Sequence, residues 1–186
     1  DLSGKLWRFD IDDIVLPSGK EAIQLASFVK NNIPQPITSR PELSEIQTAS
    51  QKIPIISLAT GKYLGMSDIE DINIQSIYTF KDTLSATGLG NLSGSASMVM
   101  QTLTNINNAT QRTTSQLPID WSQKNGWAID LAINGASTGE RVTLDIEQQL
   151  GILRVISIIP SRVACVFGGQ SWIYTFDYRN GRFLPA

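Results

Sequence analysis

Alternating apolar and polar positions along the chain predict short β-strands. The clearest candidates are rich in Ile, Val or Leu and bounded by Gly, Pro or Asn, and they cover residues 53–60, 126–133, 140–146 and 151–159. Residues 18–21 match a capping box, so the apolar positions of 23–29 fit a short helix. The same positions also fit the alternation of a strand, and the neighbouring strand candidates favour that interpretation.

One motif occurs three times: an aliphatic residue, Trp or Tyr, a polar residue, Phe, and an acidic residue at or next to the end. The copies are Leu6-Trp7-Arg8-Phe9-Asp10, Ile77-Tyr78-Thr79-Phe80-Lys81-Asp82 and Ile173-Tyr174-Thr175-Phe176-Asp177. In an extended chain the aromatic pair lies on one face and the aliphatic residue on the other, as stacked sheets require. The motif predicts one such strand in each unit of a repeated β-structure, with chance recurrence as the alternative.

Residues 83–118 differ from the rest, because Arg112 is their only charged residue and they contain no aromatic side chain. This composition predicts a long polar insertion, in which alternation from Met98 to Ile106 predicts one strand.

About nine strands at four to a blade make about two to three blades, whereas a closed propeller typically has four to eight. Residues 1–186 are therefore predicted to be an all-β partial β-propeller, and a start at Asp1 rather than Met also suggests a piece of a longer protein.

The composition excludes several classes of function. The formal net charge is −2, so the chain lacks the excess positive charge with which proteins bind nucleic acid. Histidine is absent, which removes Ser/His/Asp and Cys/His catalysis and every metal site that needs histidine. No run reaches the roughly 18 to 20 apolar residues of a transmembrane helix. The single cysteine, Cys165, is either a buried thiol or the disulfide partner of a cysteine outside this chain.

Acidic side chains cluster where the first motif strand ends, and these weak candidates for metal binding are Asp10, Asp12 and Asp13. Counted from Asp10, Glu21 stands at the last ligand position of an EF-hand-type loop. Ile14 and Val15, however, occupy positions that need an oxygen ligand and a glycine, so a solvated acidic turn is the favoured interpretation.

Trp121 and Trp127 form the candidate ligand surface, because indole rings can stack on sugars. Large aromatic side chains in repeated β-structures more often belong to the core, which is the favoured alternative. With no histidine and no convincing carboxylate pair, no catalytic residue is predicted.

A series of short motifs resembles, in the same order, the PilC/PilY family of type IV pilus tip-associated adhesins. The motifs are DLSGKLWRFD at 1–10, QPITSRPE at 35–42, TGKYL at 60–64, QSIY at 75–78, DW at 120–121, GWAIDL at 126–131, GERV at 139–142, PS at 160–161 and CVFGGQSW at 165–172. The resemblance extends over nearly the whole chain.

This resemblance implies the C-terminal β-propeller of a secreted or surface-exposed bacterial protein that promotes pilus assembly and attachment to host cells without catalysis. The implied partners are the remaining blades of the same protein, pilus components and a host-cell surface ligand. The family's calcium loop lies upstream of the segment that matches residues 1–10, so calcium is expected in the parent propeller and outside this chain. Two alternatives stay open: a quinoprotein-like dehydrogenase, whose strand motif is also similar, and a sugar-binding lectin module.

Overall fold

The computed structural model describes residues 1–15, 21–48, 51–162 and 168–184. Within these ranges the chain forms β-strands and one 3-10 turn, Met66–Ile69, with no α-helix, which confirms the all-β prediction. The strands are β1 Lys5–Phe9, β2 Ala22–Ser27, β3 Val29–Lys30, β4 Ile33–Pro34, β5 Glu42–Gln47, β6 Lys52–Ala59, β7 Ser76–Lys81, β8 Met98–Ile106, β9 Gln111–Thr114, β10 Gly126–Ile133, β11 Ala136–Ser137, β12 Glu147–Gln149, β13 Ile152–Pro160, β14 Gly169–Asp177 and β15 Arg182–Phe183.

Two four-stranded antiparallel units have the strand pattern of propeller blades. The first is β12-β13-β14-β15, a meander in chain order. The second is β5-β6-β7-β10, which the hairpin β8–β9 widens by pairing β8 parallel to β10. Residues 83–118 thus supply the strand predicted from Met98 and a second strand, β9. The partial-propeller prediction is confirmed in this form.

The three motif copies lie in β1, β7 and β14. β7 and β14 are each the third strand of their unit and have a partner strand on both sides. β1, by contrast, pairs with β2 alone among the described strands, and this pair forms a small sheet of its own. The motif strand therefore has two partner strands in two of its copies and one described partner strand in the third.

Aromatic pairs of the motif hold the layers together. Tyr78 and Phe80 of β7 are fully buried against Phe28, which follows β2. Tyr174 and Phe176 of β14 pack in one cluster with Trp127 of β10. Trp127 belongs to the sheet β5-β6-β7-β10-β8-β9, called here the central sheet. Since burying one large apolar side chain stabilises a fold by roughly 1.5–3 kcal/mol, these two pairs are a major source of cohesion between layers.

The strand predicted over residues 140–146 does not form, so that prediction is wrong. Arg141 makes only an isolated bridge with Ile158 of β13, at 2.9 Å and 2.8 Å for the two backbone hydrogen bonds. The next residue, Val142, instead donates its N–H to Thr60, beside the central sheet, at 3.1 Å. Because successive residues bond to two different sheets, the segment cannot form a ladder with either.

The strand alternative at residues 23–29 is confirmed by β2 and β3. Most of the capping-box pattern and Cys165 lie outside the described residues. Among the residues that the structure describes, no helix is long and apolar enough to span a bilayer.

Candidate interaction site

The acidic cluster after β1 does not form a metal cage. Asp10 is buried, and its Oδ2 accepts the backbone N–H of Val15 at 2.9 Å, while Asp12 and Asp13 are exposed. Burial on its own raises the pKa of Asp10, but backbone N–H groups from Val15, Ile14, Asp12 and Asp13 hold the pKa below its ordinary value. In the described ranges, no three His, Cys, Asp or Glu side chains are placed to hold a metal ion, so these residues do not fit a calcium loop.

Trp127 lies in the core. It is 0% exposed, and its Nε1 donates a hydrogen bond to the carbonyl of Tyr178 at 2.8 Å. Trp127 therefore presents no surface to a ligand, and the ligand-surface prediction is wrong for this residue. Trp121 is half-buried and donates its Nε1 to the carbonyl of Arg179 at 3.0 Å. A ligand role for Trp121 stays a prediction.

A buried ion pair, which the sequence analysis missed, joins the hairpin β8–β9 to the last sheet. Arg112 of β9 donates Nη1 to Oε2 of Glu140 at 2.6 Å, and the two side chains are 6% and 1% exposed. The other carboxylate oxygen accepts the hydroxyls of Ser157 at 2.5 Å and Tyr174 at 2.6 Å. The guanidinium also lies over the indole of Trp172, 4.0 Å from the ring centroid.

The contacts of this ion pair indicate a structural role. Both oxygens of Glu140 accept hydrogen bonds, so the charge is fully compensated inside the fold. Burial and the neighbouring carboxylate raise the pKa of Tyr174, which keeps its hydroxyl available as a donor. One sequence signal could have found the pair, because Arg112 is the only charge in residues 83–118.

A second, partly buried network ties β3 to the central sheet. The Tyr78 hydroxyl donates to Oε1 of Gln35 at 2.5 Å, and Nε2 of Gln35 donates to Oγ of Ser76 at 2.8 Å. Ser76 donates to Asp130 at 2.8 Å, and Asp130 is ion-paired with Lys30. Burial raises the pKa of Tyr78 to about 12. These contacts link β3, residue Gln35 and the strands β7 and β10.

The surface best suited to binding is an apolar groove between β1 and the β5–β6 face, called here the β1 groove. Its volume is about 440 Å³, and its apolar lining includes Leu6, Phe9, Leu25, Leu43, Pro54 and Ile56. Leu43 is 74% exposed and Phe9 66% exposed. The ion pair between Arg8 and Asp82, at 2.5 Å, contributes to the groove wall. Such a surface suits contact with another polypeptide.

Stacked four-stranded units with paired internal charges define the class of this chain as an all-β, propeller-like module. No family model matches it. It is 27% identical, over 97% of its length, to the type IV pilus biogenesis factor PilY1 homolog of Xylella fastidiosa. It is 28% identical, over 98% of its length, to the type IV pilus biogenesis factor PilY1 of Pseudomonas aeruginosa. The resemblance inferred from the motifs is thereby confirmed.

A solved structure gives the same architecture. The crystal structure of the Pseudomonas aeruginosa PilY1 C-terminal domain matches 97% of this chain with a TM-score of 0.74 at 24% identity. This likeness shows the fold. The chain spans 43% of that solved chain, and 13% and 19% of the two curated relatives.

Proposed function

We propose that this chain is part of the β-propeller of a type IV pilus biogenesis factor and supports pilus assembly through surface contacts. The observation that carries the proposal is the similarity, over 97–98% of the chain, to the type IV pilus biogenesis factor PilY1 and its homolog. Contact-based function also agrees with the described residues, where the buried pair Arg112–Glu140 and the partly buried pair Lys30–Asp130 belong to structural networks. Histidine is absent, so catalytic arrangements that need histidine, such as Ser/His/Asp, cannot form from this chain alone.

The proposal includes a location at the bacterial surface or pilus tip and attachment to host cells, with pilus components and a host-cell ligand as partners. Its support is the motif resemblance to the family of pilus tip-associated adhesins. We also propose that the parent propeller binds calcium outside this chain, because the acidic cluster after β1 does not fit a calcium loop. The dehydrogenase and lectin alternatives stay predictions.

In-frame deletion tests the proposal. Residues 1–186 are removed from the gene for the parent protein, and surface pili are counted by electron microscopy. We expect pili to be lost or strongly reduced, and host-cell attachment to fall with them. Re-expression of the complete gene from a plasmid is the control. Normal pilus numbers in the deletion strain would end the assembly role, whereas normal pili with reduced attachment would support adhesion alone.

A further inference from the structure

A cleft with both polar and apolar walls lies between the hairpin β8–β9 and the last sheet. Three elements line it: the hairpin β8–β9, the hairpin β10–β11, and the adjoining ends of β13 and β14. Its volume is about 480 Å³, and it is called here the β9–β14 cleft. Small-molecule sites have volumes of about 300–1,000 Å³, so the cleft is large enough for a small ligand.

Two N–H donors in the wall of the β9–β14 cleft have no acceptor. Arg112 is 7% exposed, and its hydrogen bonds to Asn105, Glu140 and Tyr174 use only Nε and Nη1, so Nη2 is unpaired among the residues that the structure describes. The buried Nε1 of Trp172 also has no hydrogen-bond partner within the described ranges. Unpaired polar groups in a protein interior are destabilising, so both donors gain from an acceptor atom that a ligand brings.

The charge of Arg112 is already compensated, which favours a neutral ligand over an anion. Oε2 of Glu140 accepts from Nη1 at 2.6 Å, so the guanidinium and the carboxylate together carry no net charge. A carboxylate or phosphate bound at Nη2 would be repelled by the nearby Glu140 charge, and burial strengthens that repulsion. An uncharged hydroxyl or carbonyl oxygen accepts the same N–H without this cost.

The other side chains of the cleft have the mixed character that a sugar requires. Hydroxyl and amide groups, which both donate and accept hydrogen bonds, come from Thr138, Ser171 and Gln170. Apolar surface comes from Ile133 and Ile159. A saccharide unit carries hydroxyl groups at its rim and C–H groups on its faces, so it matches both kinds of wall.

We propose that the β9–β14 cleft binds one unit of an uncharged saccharide, in which one oxygen accepts from Nη2 of Arg112 and a hydroxyl group bonds to Gln170. A second sugar oxygen is the acceptor for Nε1 of Trp172, once the half-buried indole turns toward the ligand. This site is distinct from the ligand surface predicted at Trp121 and Trp127. It is also independent of the pilus role.

A glycan array followed by isothermal titration calorimetry tests the site. The purified parent polypeptide is applied to an array of neutral glycans, acidic glycans and peptides, and we expect it to bind a subset of the neutral glycans. The methyl glycoside of the recognised hexose is then titrated, together with the corresponding uronate. The uronate should bind no more tightly than the neutral glycoside, because its carboxylate is repelled by Glu140.

Two variants of the parent polypeptide make the test specific. Ala136 and Gln170 are exposed and line the cleft, so Ala136→Trp and Gln170→Ala should leave thermal unfolding unchanged. Ala136→Trp should abolish binding by filling the cleft, and Gln170→Ala should weaken it about threefold to tenfold through loss of one hydrogen bond. Ala86→Trp and Gln149→Ala are the matched controls, because both residues are exposed and lie outside the cleft, and they should leave binding unchanged.

Four results would overturn the proposal. One is the absence of binding to any neutral glycan, and another is binding that Ala136→Trp leaves unchanged. Tighter binding of the uronate would identify an anion site instead, and binding of peptides alone would assign the cleft to a polypeptide partner. None of these readouts involves pili, so failure here is distinct from failure of the pilus role.

Discussion

Loss of the Glu140 charge should destabilise this fold far more than loss of an exposed charge. In Glu140→Gln the buried Arg112 guanidinium keeps its charge but faces a neutral amide, while Ser157 and Tyr174 lose a charged acceptor. Removing one member of a buried ion pair costs about 3–5 kcal/mol, because the remaining charge stays desolvated. That loss is a large fraction of the roughly 5–15 kcal/mol by which domains are stable.

The chain provides a matched control in Glu147→Gln. Glu147 and Arg154 are also ion-paired, at 3.6 Å, but their side chains are 73% and 55% exposed. Exposed ion pairs contribute about 0–1 kcal/mol to stability, so Glu147→Gln should have nearly the same free energy of unfolding as the unsubstituted chain.

Urea unfolding followed by tryptophan fluorescence gives the free energy of unfolding of Glu140→Gln and of Glu147→Gln. A double variant, Arg112→Met with Glu140→Leu, should recover much of the loss, because it removes both charges and keeps apolar volume. Equal costs for Glu140→Gln and Glu147→Gln would refute the reasoning, and so would a double variant less stable than Glu140→Gln alone.

Two further predictions follow from burial and backbone geometry. The pKa of Tyr78 is raised from 10.0 to about 12, so the unfolded phenol ionises first and stability should fall between pH 10 and pH 12, by at most roughly 2–3 kcal/mol. Tyr78→Phe should show a smaller fall in urea-unfolding titrations, and an identical fall would contradict the assignment. Gly181 has φ +70° and a Cβ there would lie 2.6 Å from Trp127, so Gly181→Ala should cost at least about 2 kcal/mol in thermal unfolding. Gly135→Ala, at φ +77° with open space around it, should cost only about 1 kcal/mol, and equal costs would show that the Trp127 contact is unimportant.

Local pattern was enough to predict most of the strands. Runs rich in Ile, Val or Leu marked β6, β10 and β13, and alternation of apolar and polar side chains marked β8. Each of these signals is a contrast in hydrophobicity along the sequence. β9 has the sequence Gln-Arg-Thr-Thr and carries no such contrast. It is held by pairing with β8 and by the buried contacts of Arg112, both of which depend on residues distant in the chain.

Residue type alone could not identify the exposed apolar groove. Trp121 and Trp127 are chemically alike, yet packing leaves one half-buried and the other fully buried. The β1 groove is formed by apolar residues from four strands, and each of these would look like an ordinary core residue in the sequence. Their exposure depends on tertiary structure, because β1 pairs with β2 alone among the strands that the structure describes.

Pilus counts in strains that carry single substitutions test the central claim most directly. Glu140→Gln and Glu147→Gln are introduced separately into the gene for the parent protein, and surface pili are counted by electron microscopy with the protein level measured in parallel. We expect Glu140→Gln to reduce pili strongly and Glu147→Gln to leave them at the parental number. Parental pilus numbers with Glu140→Gln, in cells where limited proteolysis shows this region unfolded, would contradict a role for this fold in pilus assembly.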